Sequence, residues 1–204
     1  KLECTKSLEE SMLRLPIQDI YEIDGQKILV GRIASGKVAV GQQIIFHPCG
    51  KSATIAEVKK FGEQATSAVA GESVGITLKT DSALKAVKRG EVACDVEPSP
   101  MVSSTLEAVV FWMSGMPLRL KDKVEFKCAT QQVHCQVVRI DNRLNSSSLE
   151  LIDGESNELR ETEVARLTLK MEGYIATDKF NQVPETGRFV LMRDTDTVAG
   201  GVIH

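Results

Sequence analysis

The stretch Val30-Gly-Arg-Ile-Ala-Ser-Gly-Lys-Val-Ala-Val-Gly41 carries the strongest fold information in this chain. Two apolar runs rich in β-branched residues, Ile28–Ile33 and Val38–Phe46, flank the short segment Ser35-Gly36-Lys37. In the second run the large apolar side chains fall on even-numbered positions, which is the period of a half-buried strand. Gly36 can adopt the positive φ of a tight turn because it has no Cβ. The stretch therefore predicts a β-hairpin in a small closed sheet.

The same pattern continues on both sides of this stretch, from residue 12 to residue 98. Leu13, Leu15 and Ile17 alternate with polar residues and predict a strand. Asp24-Gly25 is a strong turn signal between that strand and the next one. Short apolar runs then recur up to residue 98, separated by turn residues, at the spacing of an all-β fold. We predict a first small β-barrel over residues 12–98.

The prolines of Pro98-Ser99-Pro100 mark a boundary, because they favour extended backbone and cannot donate ladder hydrogen bonds. A second series of alternating apolar residues follows, so we predict an all-β chain of two tandem barrels, the second over residues 101–204. Trp112 is expected inside that barrel, since large apolar side chains are usually buried. Six acidic residues lie between Glu150 and Glu163 and predict a solvated loop.

Composition limits the classes of function. With 25 basic and 28 acidic residues the net charge is −3, so no basic excess exists to bind nucleic acid through its phosphates alone. Five cysteines without a Cys-x-x-Cys pair indicate a reducing compartment. No apolar run approaches the ~18 residues of a membrane span. We expect a soluble cytoplasmic protein without a membrane partner.

No catalytic or metal site can be assembled from the sequence. Gly50-Lys51-Ser52 resembles the end of a phosphate-binding loop, but the glycine required five residues before Gly50 is Ile45. A hairpin tip is the better interpretation of that segment. Cys128, His134 and Cys135 lack the second ligand pair that zinc normally requires. We predict that this chain by itself is not an enzyme and holds neither a metal nor a cofactor.

Several motifs resemble the second and third domains of translation-factor GTPases, the elongation factor Tu and elongation factor 1-alpha superfamily. They are LRLPIQDIY at 13–21, VGRIASG at 30–36, AGESVGITL at 70–78, VKRGEVAC at 87–94 and PETGRFVLMRDTDTVAGGVI at 184–203. The resemblance implies that this chain is the C-terminal two-barrel portion of such a GTPase. Residues 1–11 would then be a linker from an N-terminal GTPase domain, and GTP and magnesium would bind to that domain.

The resemblance also implies where partners bind. In elongation factors the second domain holds the aminoacylated end of tRNA, and the corresponding cleft residues are Gln18, Asp19, Ser67 and Val69, with Glu72 beside them. Ser67 stands where the family has a glutamate and Val69 where the bacterial factor has an arginine. These departures remove charge-assisted contacts to tRNA and favour protein partners.

Two arginines are the expected protein contacts. A planar guanidinium can pair with a carboxylate through two hydrogen bonds, so we expect Arg32 and Arg193 to contact the chain's own GTPase domain. The alternative interpretation of both is an ordinary solvated charge.

Two further motifs, VVFWMSGMPL at 109–118 and FNQVPETG at 180–187, resemble the large GTPase subunit of bacterial sulfate adenylyltransferase. The resemblance implies a non-catalytic barrel module in GTP-driven sulfate activation, with the catalytic sulfate adenylyltransferase subunit as a partner. One alternative is an elongation-factor-like protein that binds aminoacyl-tRNA or the ribosome. A stand-alone β-barrel adaptor is the other alternative.

Overall fold

The computed structural model describes residues 11–23, 25–61, 63–79, 86–148, 150–152 and 157–204. The chain divides into two compact units, Lys1–Pro100 and Met101–His204. The strands of the first unit are β1 (Arg14–Ile23), β2 (Gln26–Arg32), β3 (Lys37–Ala39), β4 (Gln43–His47), β5 (Lys51–Lys60), β6 (Glu63–Ala65), β7 (Ser67–Val69), β8 (Ser73–Leu78) and β9 (Val92–Cys94). The second unit contains β10 (Met101–Trp112), β11 (Leu118–Arg119), β12 (Lys123–Cys128), β13 (Gln131–Asn145), β14 (Glu158–Leu159), β15 (Glu163–Thr177), the one-turn helix α1 (Pro184–Gly187), β16 (Arg188–Arg193) and β17 (Asp196–Val202).

Six antiparallel strands close the first barrel in the order β4-β9-β1-β2-β8-β5, because β5 pairs back onto β4. Strand β6 extends this sheet beside β5, and β3 pairs with β7 in a separate two-stranded sheet. The barrel interior is filled by apolar side chains from nearly every strand, among them the fully buried Leu29, Phe46 and Ile76. The prediction of a first β-barrel is confirmed.

The predicted hairpin centred on Gly36 is wrong, because β2 pairs with β1 and β8 and makes no ladder with β3 or β4. Gly36 does have a positive φ of 73°. Its backbone, however, lies against the start of β1, where a Cβ would stand 2.6 Å from the Leu13 nitrogen. Arg14 donates a backbone hydrogen bond to the Ser35 carbonyl at 3.0 Å. The segment thus passes the start of β1 and leads from β2 of the barrel to β3 of the separate two-stranded sheet.

The true hairpin joins β1 to β2, where Ile23 lies opposite Gln26 and Gly25 has a φ of 75°. Asp24 of the predicted turn lies outside the described residues, as do residues 1–10 of the predicted linker. A β-bulge shifts the register between Ile17 and Asp19, so that Gln18 is an extra residue in β1. Such a bulge changes which side chains face the interior on either side of it.

The second barrel closes in the order β10-β15-β13-β12-β16-β17, with β17 pairing back onto β10. Trp112 is fully buried, as predicted, and Phe126 and Phe189 pack against each other with ring centroids 4.7 Å apart. The acidic segment is only partly a solvated loop. Its end forms β14, which pairs with β11, and Glu163 is buried at the start of β15. Within the ranges given above, no helix is long and apolar enough to cross a membrane.

Candidate functional site

The cleft residues implied by the resemblance fall on two separate parts of the first barrel. Gln18 is the exposed extra residue of the β1 bulge, and the Asp19 carboxylate accepts a hydrogen bond from the Ile20 nitrogen at 2.8 Å. Asp19 lies opposite Val30 of β2, which in turn lies opposite Gly75 of β8. Two strand spacings, roughly 10 Å, therefore separate Asp19 from β8.

The remaining cleft residues are brought together around the turn that precedes β8. Ser67 and Val69 belong to β7, and the Val69 nitrogen donates to the Glu72 carboxylate at 2.8 Å. Lys60 forms an ion pair with the same carboxylate at 2.8 Å. The Lys60 contact is the main cause of the lowered pKa of Glu72, and the hydrogen bond from the Val69 nitrogen lowers it further. Glu72 is thus already engaged within the barrel, and its role as a ligand contact stays a prediction.

Arg32 stabilises this same turn. Its Nε donates to the Gly71 carbonyl oxygen at 3.0 Å, and the Ile33 nitrogen donates to the Glu72 carbonyl oxygen at 2.9 Å. The side chain remains exposed at the end of β2. Its contact with a GTPase domain stays a prediction.

The sequence analysis missed an apolar surface on the outside of the first barrel. Tyr21 and Ile23 are 52% and 55% exposed, and Tyr21 lies opposite the partly exposed Ile28. Val30 continues the surface on β2, and the side chains of Ile28 and Val30 reach over the backbone of Gly75. We name Tyr21, Ile23, Ile28 and Val30 the Tyr21 patch. The outer face of an antiparallel barrel is usually polar, so this apolar patch is a candidate binding surface.

Polar side chains border the Tyr21 patch and are joined to one another. The Glu57 carboxylate accepts hydrogen bonds from Gln26 and Thr77, both at 3.4 Å, and pairs with Lys59 at 3.2 Å. Lys59 also donates to the Gln26 side-chain oxygen at 3.4 Å. The Lys59 hydrogen bond is the main cause of the lowered pKa of Glu57. This border offers carboxylate, amide and ammonium groups at the edge of an aromatic and aliphatic surface.

Arg193 of the second barrel forms a different candidate site. Its guanidinium carbon lies 5.6 Å from the centre of the Trp112 ring, and its Nη2 pairs with Asp122 at 3.2 Å. Its Nη1 is buried and has no hydrogen-bond partner among the described residues. Two cavities of about 450 and 340 Å³ meet at Arg193 and Lys123, and we name them together the Arg193 groove. Met116, Arg119, His134 and Glu172 line its two ends.

The cysteine thiols of both barrels favour structural roles over catalytic ones. Cys49 lies beside Glu91 in the first barrel, and its nitrogen donates to the Glu91 carboxylate at 3.0 Å. Burial raises the pKa of the Cys49 thiol to about 11, and that of Cys128 and Cys135 to about 12. These thiols are therefore protonated at neutral pH and poor nucleophiles. The described ranges contain no group of three or more metal-ligating side chains.

Comparison with known families decides what the two barrels resemble. Residues 26–94 match the family described as elongation factor Tu domain 2. Residues 105–204 match the family described as GTP-eEF1A C-terminal domain-like. Each barrel matches an elongation-factor domain family. Along the chain the domain 2 match precedes the C-terminal domain match, which is the order predicted from the sequence motifs.

Similar proteins agree with these elongation-factor domain matches. Elongation factor 1-alpha of Natronomonas pharaonis is 28% identical over 196 residues, covering 95% of this chain and 46% of that protein. Elongation factor 1-alpha of Stylonychia lemnae is 29% identical over 205 residues, covering 99% of this chain and 46% of that protein. A crystal structure of sup35 complexed with GDP has the same fold, with a TM-score of 0.86 at 16% identity over 96% of this chain and 47% of that one.

The chain spans about half the length of the relatives it matches. Their name favours the elongation-factor alternative over the sulfate adenylyltransferase interpretation, which these comparisons do not support. The motifs at 109–118 and 180–187 that suggested sulfate activation contain core positions such as Trp112 and Val183, which are both fully buried. Buried residues of this kind fit the shared fold and do not by themselves assign a function.

Proposed function

We propose that these barrels are the ligand-holding portion of an elongation-factor-type GTPase, and that the Tyr21 patch receives the aminoacylated 3′ end of a tRNA. The family matches and the elongation factor 1-alpha relatives support the class of protein. The observation that carries the proposal is an exposed aromatic and aliphatic patch bordered by a carboxylate. Unpaired RNA bases bind to such surfaces by stacking on an aromatic ring while their edges form hydrogen bonds.

The chemistry of the patch fits a nucleoside better than a phosphate chain. Tyr21 offers a ring face for a base, and Ile28 and Val30 extend the apolar contact across β2. Glu57 can accept hydrogen bonds from a ribose hydroxyl or an exocyclic amine, because a carboxylate has free lone pairs beyond those used by Lys59 and Thr77. The cation at the border of the patch, Lys59, is already paired with Glu57, so we expect few phosphate contacts there. Affinity should therefore depend only weakly on salt.

Binding of aminoacylated and bare tRNA to the 204-residue chain in a filter-binding assay tests this proposal. We expect a preference for the aminoacylated form, and Tyr21→Ser should weaken binding roughly tenfold to hundredfold, since base stacking on an aromatic side chain contributes ~1–3 kcal/mol. Val40→Ser is the matched control, because Val40 is a 47% exposed apolar residue of the same barrel outside the patch. Equal binding of both tRNA forms, or an unchanged affinity of Tyr21→Ser, contradicts the proposal.

The same assay separates the Tyr21 patch from the part of the implied cleft formed by Ser67, Val69 and Glu72, because Asp19 lies beside the patch, opposite Val30. Glu57→Gln removes the charge at the border of the patch, whereas Glu72→Gln removes the charge beside Val69. If Glu72→Gln weakens binding and Glu57→Gln does not, the ligand binds near Ser67 and Val69 and our placement is wrong. We expect the opposite result.

We further propose that the Arg193 groove contacts the GTPase domain of the longer protein. The support is an arginine whose side chain is 23% exposed and lies beside two cavities that could admit a carboxylate. The GTPase portion of an elongation factor 1-alpha, titrated calorimetrically, is the probe. Lys123→Ala, which changes the wall of the groove, should weaken the association at least tenfold. Arg139→Ala, in an exposed ion pair of the same barrel, should not.

A further inference from the structure

The outer face of the second barrel has an apolar strip that the proposed function does not use. Phe111 lies opposite Val164 on one side and opposite Gly200 on the other, and Gly200 lies opposite Val190. In the next row Val109 lies opposite Val202. Phe111 is 38% exposed and the four valines are partly exposed. We name these five side chains, together with Gly200, the Phe111 strip.

Gly200 makes a notch in the middle of this strip. A Cβ at Gly200 would meet no heavy atom within 4 Å, whereas one at Gly201 would stand 2.3 Å from the Phe189 ring inside the barrel. Gly200 therefore faces outward and leaves open space between Phe111 and Val190. These two residues are two strand spacings apart, roughly 10 Å, which is wide enough for one inserted side chain.

A free cation lies at the end of the strip. Arg166 of β15 lies opposite Val109 of β10, is exposed, and has no ion-pair or hydrogen-bond partner in the described ranges. The row that contains Val109 and Val202 ends on β16 at Arg188, which pairs with Glu185. The row that contains Phe111, Gly200 and Val190 ends on β12 at Lys127, which pairs with Glu125. On its other side Arg166 lies opposite Asp141 of β13, whose carboxylate is paired with Arg139 at 2.6 Å, so among the described residues Arg166 is the cation beside the apolar surface without an ion pair of its own. A complementary partner presents apolar side chains next to a carboxylate.

The size of the strip distinguishes between partners. Four strands and two rows of side chains cover roughly 300 Å². A stable interface between two folded proteins buries about 800 Å² on each partner, so the strip is too small to hold a second copy of this chain. One aromatic ring and one free arginine are also fewer than a single-stranded RNA site uses.

We infer that the Phe111 strip docks a short protein segment, with an apolar side chain in the Gly200 notch and an Asp or Glu carboxylate against Arg166. The apolar contact gives the affinity, and the ion pair fixes the direction of the segment across the strands. This site involves only residues of the second barrel and is independent of the Tyr21 patch.

A phage-displayed library of random 12-residue peptides, selected on the 204-residue chain, tests the inference. We expect enriched peptides that combine large apolar residues with Asp or Glu. Synthetic copies should bind at least tenfold more weakly to Gly200→Leu, which fills the notch, and to Arg166→Glu. Matched controls are Gly173→Leu, at a second glycine of the same barrel with open space around it, and Lys170→Glu, an exposed cation of the same strand. Both controls should remain within twofold of the parent.

Circular dichroism melting of each variant checks that loss of binding is not loss of fold. The inference is overturned if no peptide is enriched, if the enriched peptides lack acidic residues, or if Gly200→Leu binds them as well as Gly173→Leu does. It is also overturned if sedimentation shows a dimer that Gly200→Leu dissociates, since a second copy would then cover the strip. Binding of a single-stranded RNA 12-mer that depends on Phe111 would likewise assign the strip to another class of ligand.

Discussion

Replacing Phe126 by alanine should destabilise the second barrel and leave the first unaffected. Phe126 is fully buried, and its ring packs on that of Phe189 at a centroid distance of 4.7 Å. Truncation of a buried phenylalanine costs about 3–5 kcal/mol, because transfer free energy is lost and a cavity remains. That is a large part of the roughly 5–15 kcal/mol by which a domain is stable.

The chain provides its own reporter for this experiment. Its single tryptophan, Trp112, is fully buried in the second barrel, so tryptophan fluorescence in a urea titration follows that barrel alone. With a slope of about 1.5 kcal/mol/M for a unit of this size, a loss of about 4 kcal/mol lowers the urea midpoint by roughly 2–3 M. The matched control is Phe46→Ala, which removes a fully buried ring from the first barrel.

Two results would refute this reasoning. A shift of less than about 0.5 M for Phe126→Ala would mean that the ring does not support the packed core described here. An equal shift of the Trp112 transition in Phe46→Ala would mean that the two units unfold together, although each has its own closed sheet and its own core.

Two further predictions concern the first barrel. A methyl group at Gly31 would stand 2.2 Å from the Pro16 carbonyl oxygen, so Gly31→Ala should cost about 3 kcal/mol. Gly41→Ala, which has open space but a φ of 85°, should cost only about 1 kcal/mol in the same urea titration followed by circular dichroism. Burial first and then the Arg14 charge lower the pKa of His47 below its usual value of 6.5. The contribution of neutral His47 to the free energy of unfolding should therefore be complete above about pH 6.5 and decrease as the pH drops towards the folded-state pKa. The variant His47→Gln should lack this pH dependence. An NMR titration of His47 with a midpoint at or above 6.5 would contradict it.

Much of the core of the second barrel was predictable because the core stretches of β10 and β12 keep a two-residue period. Leu106, Ala108, Val110 and Trp112 share one parity in the sequence and all face the interior. The same holds for Val124, Phe126 and Cys128 on β12. Where no residue is inserted, alternation alone assigns each side chain to the inner or outer face.

The hairpin prediction failed because strand pairing is a non-local property. The run Ile28–Ile33 was correctly recognised as a strand, but Val38–Phe46 is two strands, β3 and β4, separated by a turn in which Val40 is 47% exposed and Gly41 has a φ of 85°. Nothing within these runs shows that β2 pairs with β8, more than 40 residues later in the chain. Gly36 was read as a turn residue. Its second role, close approach to the Leu13 backbone, depends on a segment that the local pattern does not contain.

The Tyr21 patch was hidden from the sequence analysis by a single inserted residue. Tyr21 and Ile23 have the same parity as the buried Ile17, so strict alternation would turn all three inward. The extra residue Gln18 reverses the alternation, so that Ile20 packs towards the core and Tyr21 and Ile23 face outward. The bulge therefore creates the apolar outer surface. If the Tyr21 patch binds the proposed ligand, Gln18, which the resemblance placed in a ligand cleft, contributes through its backbone, because the bulge turns Tyr21 outward.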